Sequence, residues 1–128
     1  MNTIVSFEIA KLLKEKGFEG KTKSYNEDGK LVNVSLSIRR FNPERIYYPA
    51  PTIAEVVMWL YEKHGIWVNV EYMDDILLFC FSVCTIKTNT NEMEQLGFNT
   101  PADAYEAAIE YCLVNLIKEE NENNWRFK

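Results

Sequence analysis

The fold of this chain is decided by the 24 residues Pro49–Tyr72, PAPTIAEVVMWLYEKHGIWVNVEY, which specify a helix and the strand that follows it. Thr52 can cap the first free backbone amides of the helix, and Glu55 lies three residues later, where it can close a capping box. Gly65 provides the left-handed residue with which helices commonly end. Between these signals, apolar residues recur at the spacing of one buried helical face: Ile53, Val56, Val57, Leu60 and Tyr61. The sequence therefore predicts a helix that begins after Thr52 and stops at Gly65.

The strand after this helix has one apolar face. Val68, Val70 and Tyr72 alternate with Asn69 and Glu71, which is the period of a strand with one side against a core. The whole segment is thus a helix laid back onto a sheet. It contains no catalytic or ligand-binding motif.

Two further helices are predicted from their end signals. Ser6 is placed to cap a short, surface-lying first helix that ends at Gly17, and Phe18 is expected to fold back onto its last turn. Thr100 caps the last helix, with Pro101 at the first helical position. The apolar face of this last helix runs for nearly four turns and should pack firmly on the sheet.

The strands are predicted from alternation and turn signals. A turn at Asn26–Gly29 leads into a strand over Val32–Arg39, and a turn at Asp74–Asp75 leads into a long strand over Ile76–Thr88. Because this long strand is apolar on both sides, we expect it in the middle of the sheet, covered on both faces by helices or by a second subunit. Between the two, Arg39–Pro51 is expected to be an irregular connection, in which Ile46, Tyr47 and Tyr48 can add a short edge strand.

Length and composition indicate one domain. The chain has 128 residues, of which 47% are hydrophobic and 26% charged. The predicted fold class is α+β: a two-layer or three-layer sandwich in which an antiparallel sheet of about four strands is packed by the central and last helices, with the short N-terminal helix at one edge. We expect the domain to cover residues 1–118 and the polar stretch 119–128 to be a frayed tail.

Charge and hydropathy argue against two classes of protein, those that bind nucleic acid and those that span a membrane. The net charge is −5, and Glu92–Glu110 contains five acidic residues and no basic one, which disfavours binding to a nucleic acid backbone without excluding it. The longest apolar run, Ile76–Phe81, is far shorter than the roughly 18 residues that a membrane span needs. No secretion signal is recognised at the N-terminus. We therefore expect a cytoplasmic protein with no membrane association.

The three cysteines agree with a reducing compartment. Cys80 and Cys84 are four residues apart in a predicted strand, so their Cα atoms should lie about 13 Å apart at about 3.3 Å per residue. A disulfide tolerates roughly 7 Å, so these two residues cannot pair. Cys112 falls on the apolar face of the last helix, where a reduced, space-filling role is expected.

Catalytic and metal sites are not predicted. His64 is the only histidine, and its place in the last turn of the central helix favours a partly cationic capping role. No Cys or Ser nucleophile is recognisable beside it, and the cysteines lack the close pairing of a zinc site. Asp74 and Asp75 are assigned to turn chemistry. We expect no enzyme activity, no cofactor and no metal.

A resemblance is carried by the helix ends and one turn. These stretches are Ser6–Phe18, Tyr25–Gly29, Ala50–Thr52 through Trp59-Leu60 to Lys63–Ile66, and Ala104–Ile109. In this order the chain resembles a group of small uncharacterised proteins carried by phages, prophages and mobile elements of gut bacteria. The resemblance implies an alpha-beta sandwich fold and an origin in a mobile element. It implies no active-site residue.

Two functional hypotheses remain open at this point. The first is a non-enzymatic accessory or protein-interaction domain that binds an unknown protein partner or self-associates as a homodimer. It is prompted by the long apolar strand, by Met58 and Trp59 beside the main helical face, and by the tail aromatics. The alternative is a small single-stranded nucleic-acid-binding protein that uses the loop from Arg39 to Tyr48. The candidate interaction residues are Arg39, Arg40, Arg45, Tyr47, Tyr48, Trp125 and Phe127.

Overall fold

The computed structural model describes residues 3–20, 22–32 and 45–117 of the chain. In chain order, the elements in these ranges are α1 (Phe7–Glu15), β1 (Lys23–Tyr25), β2 (Leu31–Val32), β3 (Tyr48–Ala50), α2 (Ile53–His64), β4 (Ile66–Met73), β5 (Leu78–Thr85), β6 (Thr90–Phe98) and α3 (Pro101–Tyr111). A π-helical turn, Cys112–Leu116, continues α3. No helix in these ranges has the length and apolar character that a membrane crossing requires.

The strands form two antiparallel sheets of three strands each. The small sheet has the order β2-β1-β3, and the larger sheet has the order β4-β5-β6. In the larger sheet, Val68 on β4 pairs with Val83 on β5, which in turn pairs with Met93 on β6. The α+β class is confirmed, whereas the single sheet of about four strands is not what the structure shows. The predicted strand over Val32–Arg39 begins as β2, and its remaining residues lie outside the described ranges.

Strand β6 was not predicted from the sequence. Its residues, TNEMEQLGF, are mostly polar, and only Met93 and Phe98 pack against the core. Register shifts opposite Phe79/Cys80 and Val83/Cys84 also interrupt its alternation, so no period of two is visible. An edge strand of this kind is held by its backbone pairing with β5 rather than by an apolar face.

Strand β5 lies in the middle of its sheet, as predicted, but it is shorter than expected. Ile76 and Leu77 belong to the turn before it, where Leu77 has a φ of 57° and is 71% exposed. One face of β5 carries Phe81 and Val83 into the core. The opposite face of β5 is only partly buried. Among the described residues, helices therefore cover one face of this strand and not both, as had been expected.

Helix α2 begins and ends as its sequence indicates. The Glu55 N–H donates to Thr52 Oγ1 at 3.2 Å, and the Thr52 N–H donates to Glu55 Oε1 at 3.0 Å, which completes the capping box. Gly65 has a φ of 65° and donates its N–H to the Tyr61 carbonyl. Tyr61, which was predicted on the buried face, is instead 45% exposed. Its ring packs edge-on against Trp67.

Helix α1 belongs to the core rather than to the surface. Ser6 caps it by accepting from the Ile9 N–H, and both Ile9 and Leu13 are buried, which corrects the prediction of a surface-lying helix. The segment before α1 is tied to the start of α2, because Val5 N–H donates to the Pro51 carbonyl at 3.0 Å. α3, capped by Thr100, packs on the larger sheet beside α2. One apolar core therefore joins all three helices to the larger sheet.

Candidate functional site

An apolar groove of about 640 Å³ runs along α2, beside the face that this helix buries in the core. Its lining residues come from α2 and from the segment after α1: Phe18, Gly20, Ala54, Glu55, Met58, Trp59, Glu62 and Lys63. We call this feature the α2 groove. Within it, Met58 is 46% exposed in the middle of a regular helix.

The α2 side of the groove follows from helical spacing. Ala54, Met58 and Glu62 form one row at intervals of four residues, and Glu55, Trp59 and Lys63 form the neighbouring row. The residues that α2 buries in the core lie on its other side. These six side chains therefore lie together along the helix, with Met58 exposed and Trp59 partly buried against the core.

Phe18 forms the wall opposite this helix face. Its N–H donates to the Leu13 carbonyl at 3.0 Å, which folds the chain back at the end of α1 as predicted. Its ring contacts the Trp59 indole, with 5.3 Å between centroids and 69° between the planes. Gly20 makes room for this ring, because a Cβ at Gly20 would lie 2.6 Å from Phe18 Cζ.

Trp59 is supported from its other side by His64. The two ring centroids are 4.8 Å apart, and His64 Nε2 is buried without a hydrogen-bond partner among the described residues. Burial lowers the pKa of His64 below its ordinary value, and the charge of Lys63 lowers this pKa further. The imidazole is therefore neutral near pH 7, which corrects the expectation of a partly cationic histidine at the helix end.

The rim of the groove carries one unengaged carboxylate. Glu55 is held in the capping box, where its Oε1 accepts from the Thr52 N–H and hydroxyl. Glu62 and Lys63 are exposed and form no hydrogen bond or ion pair in the part of the chain that the structure describes. The groove therefore offers an apolar floor with separate positive and negative groups at its edge.

The predicted interaction residues lie elsewhere or outside the described ranges. Arg39, Arg40, Trp125 and Phe127 fall outside the described residues. Arg45 is exposed ahead of β3, and Tyr47 is half-buried, with its carbonyl accepting from Lys14 Nζ at 2.7 Å.

Tyr48 is engaged by α1. Its ring packs edge-on against Phe7, with 5.4 Å between centroids, and Lys14 Nζ lies over it. None of Arg45, Tyr47 and Tyr48 lines the α2 groove.

The thiols and the turn aspartates are the remaining candidates for a reactive or metal-binding group. All three cysteines are free, and burial raises the pKa of Cys112 to about 12. Asp74 and Asp75 lie in the β4–β5 turn, as predicted, and both are exposed. In residues 3–20, 22–32 and 45–117, no group of three or more His, Cys, Asp or Glu side chains is placed to hold a metal ion.

A smaller cavity of about 370 Å³ lies at the start of α3, between this helix and the larger sheet. It is lined mainly by apolar groups, including Ile53, Val70, Phe79 and Tyr105. The Thr100 hydroxyl at its edge already accepts from the Asp103 N–H. Most of the lining of this cavity is therefore apolar, with hydroxyl groups such as that of Tyr105 as its polar part.

The sequence indicated only half of the α2 groove. Helical spacing places Met58 and Trp59 beside the main apolar face of α2, and so indicates this side of the groove. The contribution of Phe18 and Gly20 was missed, since nothing in the local pattern shows that residues about 40 positions earlier in the chain pack against Trp59.

Comparison with known proteins gave no relative for this chain: no family model matches it, and neither a curated protein nor a solved structure does.

Proposed function

We propose that this protein is a non-enzymatic protein-interaction domain and that the α2 groove docks an apolar segment of a partner protein. The observation that carries the proposal is the exposed Met58 next to Trp59 in a groove with an apolar floor. Tryptophan is enriched among the residues that dominate binding energy, and methionine adapts its shape to different apolar partners. The role as an accessory protein of a mobile element belongs to the same proposal and rests on the sequence resemblance alone.

The stiffness of the groove supports a docking role. Phe18 is held by a backbone hydrogen bond, and Trp59 is held between Phe18 and His64. A preformed apolar surface loses little conformational entropy when a partner binds, which leaves more of the apolar contact energy for affinity.

The charges at the rim favour a basic partner. The charged residues that line the groove are two acids, Glu55 and Glu62, and one base, Lys63. The whole chain carries a net charge of −5. A segment that places an aromatic side chain on Met58 and Trp59, with a Lys or Arg beside it, would match both the floor and the rim.

The experiment is a binding titration with labelled octapeptides followed by fluorescence anisotropy. One set carries two aromatic residues alternating with Arg or Lys, and a matched set replaces the cations with Glu. We expect the basic set to bind more tightly. Met58→Glu should weaken its binding by at least about ten-fold, which corresponds to about 1.4 kcal/mol.

Two variants make this titration specific to the groove. Tyr61→Glu is the matched control, because Tyr61 lies on the same helix and is 45% exposed but does not line the groove. Glu62→Lys should shift the preference toward the acidic peptides. Equal binding of the basic set to wild type, Met58→Glu and Glu62→Lys would reject the groove as the docking surface.

The alternative function, single-stranded nucleic acid binding through the loop from Arg39 to Tyr48, finds less support. Base stacking needs an accessible aromatic face, and the Tyr48 ring is already packed by Phe7 and Lys14. Titration with a labelled oligothymidylate at two salt concentrations tests it. Affinity that falls with salt and with Arg45→Glu, but not with Met58→Glu, would favour this alternative.

A further inference from the structure

We propose that Trp125–Lys128, with the sequence WRFK, occupies the α2 groove of its own chain and competes there with the partner segment. This inference rests on the proposed function, because it names an occupant of the same surface. When no partner is present, the groove would then be filled by the protein's own C-terminal segment.

The chemistry of this segment matches the groove. WRFK alternates two aromatic side chains with two cations. The groove presents Met58 and Trp59 as its floor and the unengaged carboxylate of Glu62 at its rim. Residues 118–124, which precede the segment, contain no apolar side chain. Trp125 is thus the first group after Ile117 that gains from burial.

The described chain ends next to α1, the helix whose C-terminal end leads into the groove wall. Ile117 is buried, and the π-helical turn just before it contacts α1. α1 has nine residues and is therefore about 14 Å long at about 1.5 Å per residue, so any point of contact on it lies within about that distance of its end. Phe18, which forms the wall of the groove, donates its backbone N–H to the Leu13 carbonyl in the last turn of α1.

The connection is long enough to reach. Trp125 follows Ile117 by eight residues, which span up to about 26 Å at about 3.3 Å per residue. A short tether also raises the effective concentration of the segment to the order of 1 mM. Docking within one molecule is therefore favoured over docking on a second copy at ordinary protein concentrations.

The experiment uses the full chain and a labelled peptide with the sequence of residues 121–128, NENNWRFK. We expect this peptide to bind the double variant Trp125→Ala/Phe127→Ala about ten-fold more tightly than the unaltered chain, because the competing segment no longer fills the groove. Adding Met58→Glu to the double variant should abolish the gain, whereas adding Tyr61→Glu should keep it.

A second variant, Arg126→Glu/Lys128→Glu, keeps both aromatics and tests the charge match. It should also release the groove, and thermal unfolding of both variants checks that they fold. Light scattering across a concentration series should show no dimer that depends on Trp125. Such a dimer would overturn docking within one chain in favour of exchange between two copies.

The outcomes separate this inference from the proposed function. Equal binding of the peptide to the unaltered chain and to the double variant would overturn self-occupation. If the double variant binds other basic aromatic peptides but not NENNWRFK, the docking surface stands and the self-occupation fails. If the double variant binds no basic aromatic peptide at all, both proposals fail.

Discussion

Trp59 lies edge-on against His64, with 4.8 Å between the ring centroids and 75° between the ring planes. The two residues are five positions apart, and His64 is the last residue of α2, so the contact joins the end of the helix to the floor of the α2 groove. His64 Nε2 is buried without a hydrogen-bond partner among the described residues. The second ring proton, which makes the imidazole cationic, would therefore be poorly solvated.

Stability should therefore fall in mild acid because of His64. Its folded-state pKa lies below the unfolded value of about 6.5, so the unfolded chain binds more protons as the pH falls. The stabilisation that neutral His64 contributes is fully present above its pKa in the unfolded chain. It is lost as the pH falls from there through its pKa in the folded protein. Urea unfolding of wild type and His64→Phe at pH 7.5 and 5.5 measures it.

His64→Phe keeps an aromatic ring beside Trp59 but removes the titration. We expect the variant to lose less stability than wild type between the two pH values, while the carboxylates contribute equally to both proteins. Identical pH dependence in the two proteins would show that His64 is well solvated when charged.

Gly20→Ala should narrow the α2 groove without unfolding the protein. The added methyl would meet Phe18 at 2.6 Å from Cζ and 2.7 Å from Cε1, so the ring, which also contacts Trp59, has to turn or shift. Gly20 has no positive φ, and the clash falls on the far end of one side chain. We expect a change in Trp59 fluorescence and weaker peptide binding, with a stability loss within about 1 kcal/mol.

The double variant Gly20→Ala/Phe18→Leu is the control for this prediction. Leucine is shorter than phenylalanine and leaves space for the methyl, so the cost of Gly20→Ala should disappear in this background. An unchanged cost would place its origin in the backbone rather than in the Phe18 ring.

Gly65→Ala should destabilise the protein for a different reason. A Cβ at this position would meet nothing within 4 Å, but φ is +65°, a conformation that costs an alanine about 1 kcal/mol. Gly65→Asn should cost less, because asparagine tolerates the left-handed region better. Equal losses for Ala and Asn in thermal or urea unfolding would contradict backbone strain as the cause.

The cysteines should differ sharply in reactivity. Cys80 and Cys84 are partly exposed on β5, whereas Cys112 is fully buried with a pKa of about 12. At pH 8 only about one Cys112 thiol in ten thousand would be ionised, and the thiolate is the reactive form. Ellman's reagent should therefore modify at most two thiols in the folded protein and all three in urea.

Cys112→Ala tests which thiol is protected. It should leave the fast reaction unchanged and remove only the thiol that appears on unfolding. Rapid labelling of all three thiols in native buffer would mean that the α3 end of the core opens readily.

The helix ends and the turn could be predicted from the sequence because they depend on residues that are neighbours in the chain. The capping box of Thr52 and Glu55, the stop at Gly65 and the turn at Asn26–Gly29 all act over a few residues, and the structure confirms each of them. The buried face of α2 was also largely predicted, since helical spacing alone selects Ile53, Val56, Val57 and Leu60.

Only the tertiary structure decided how these elements meet. β6 is held in place by its backbone hydrogen bonds to β5 rather than by an apolar face. Its sequence therefore lacks the alternation of apolar and polar residues that would predict a strand. The pairing of β1 with both β2 and β3 likewise divides the strands into two sheets. The α2 groove exists because Phe18 folds back over Gly20 to reach Trp59. Contacts between residues distant in sequence arise from packing and strand pairing, which no short-range pattern encodes.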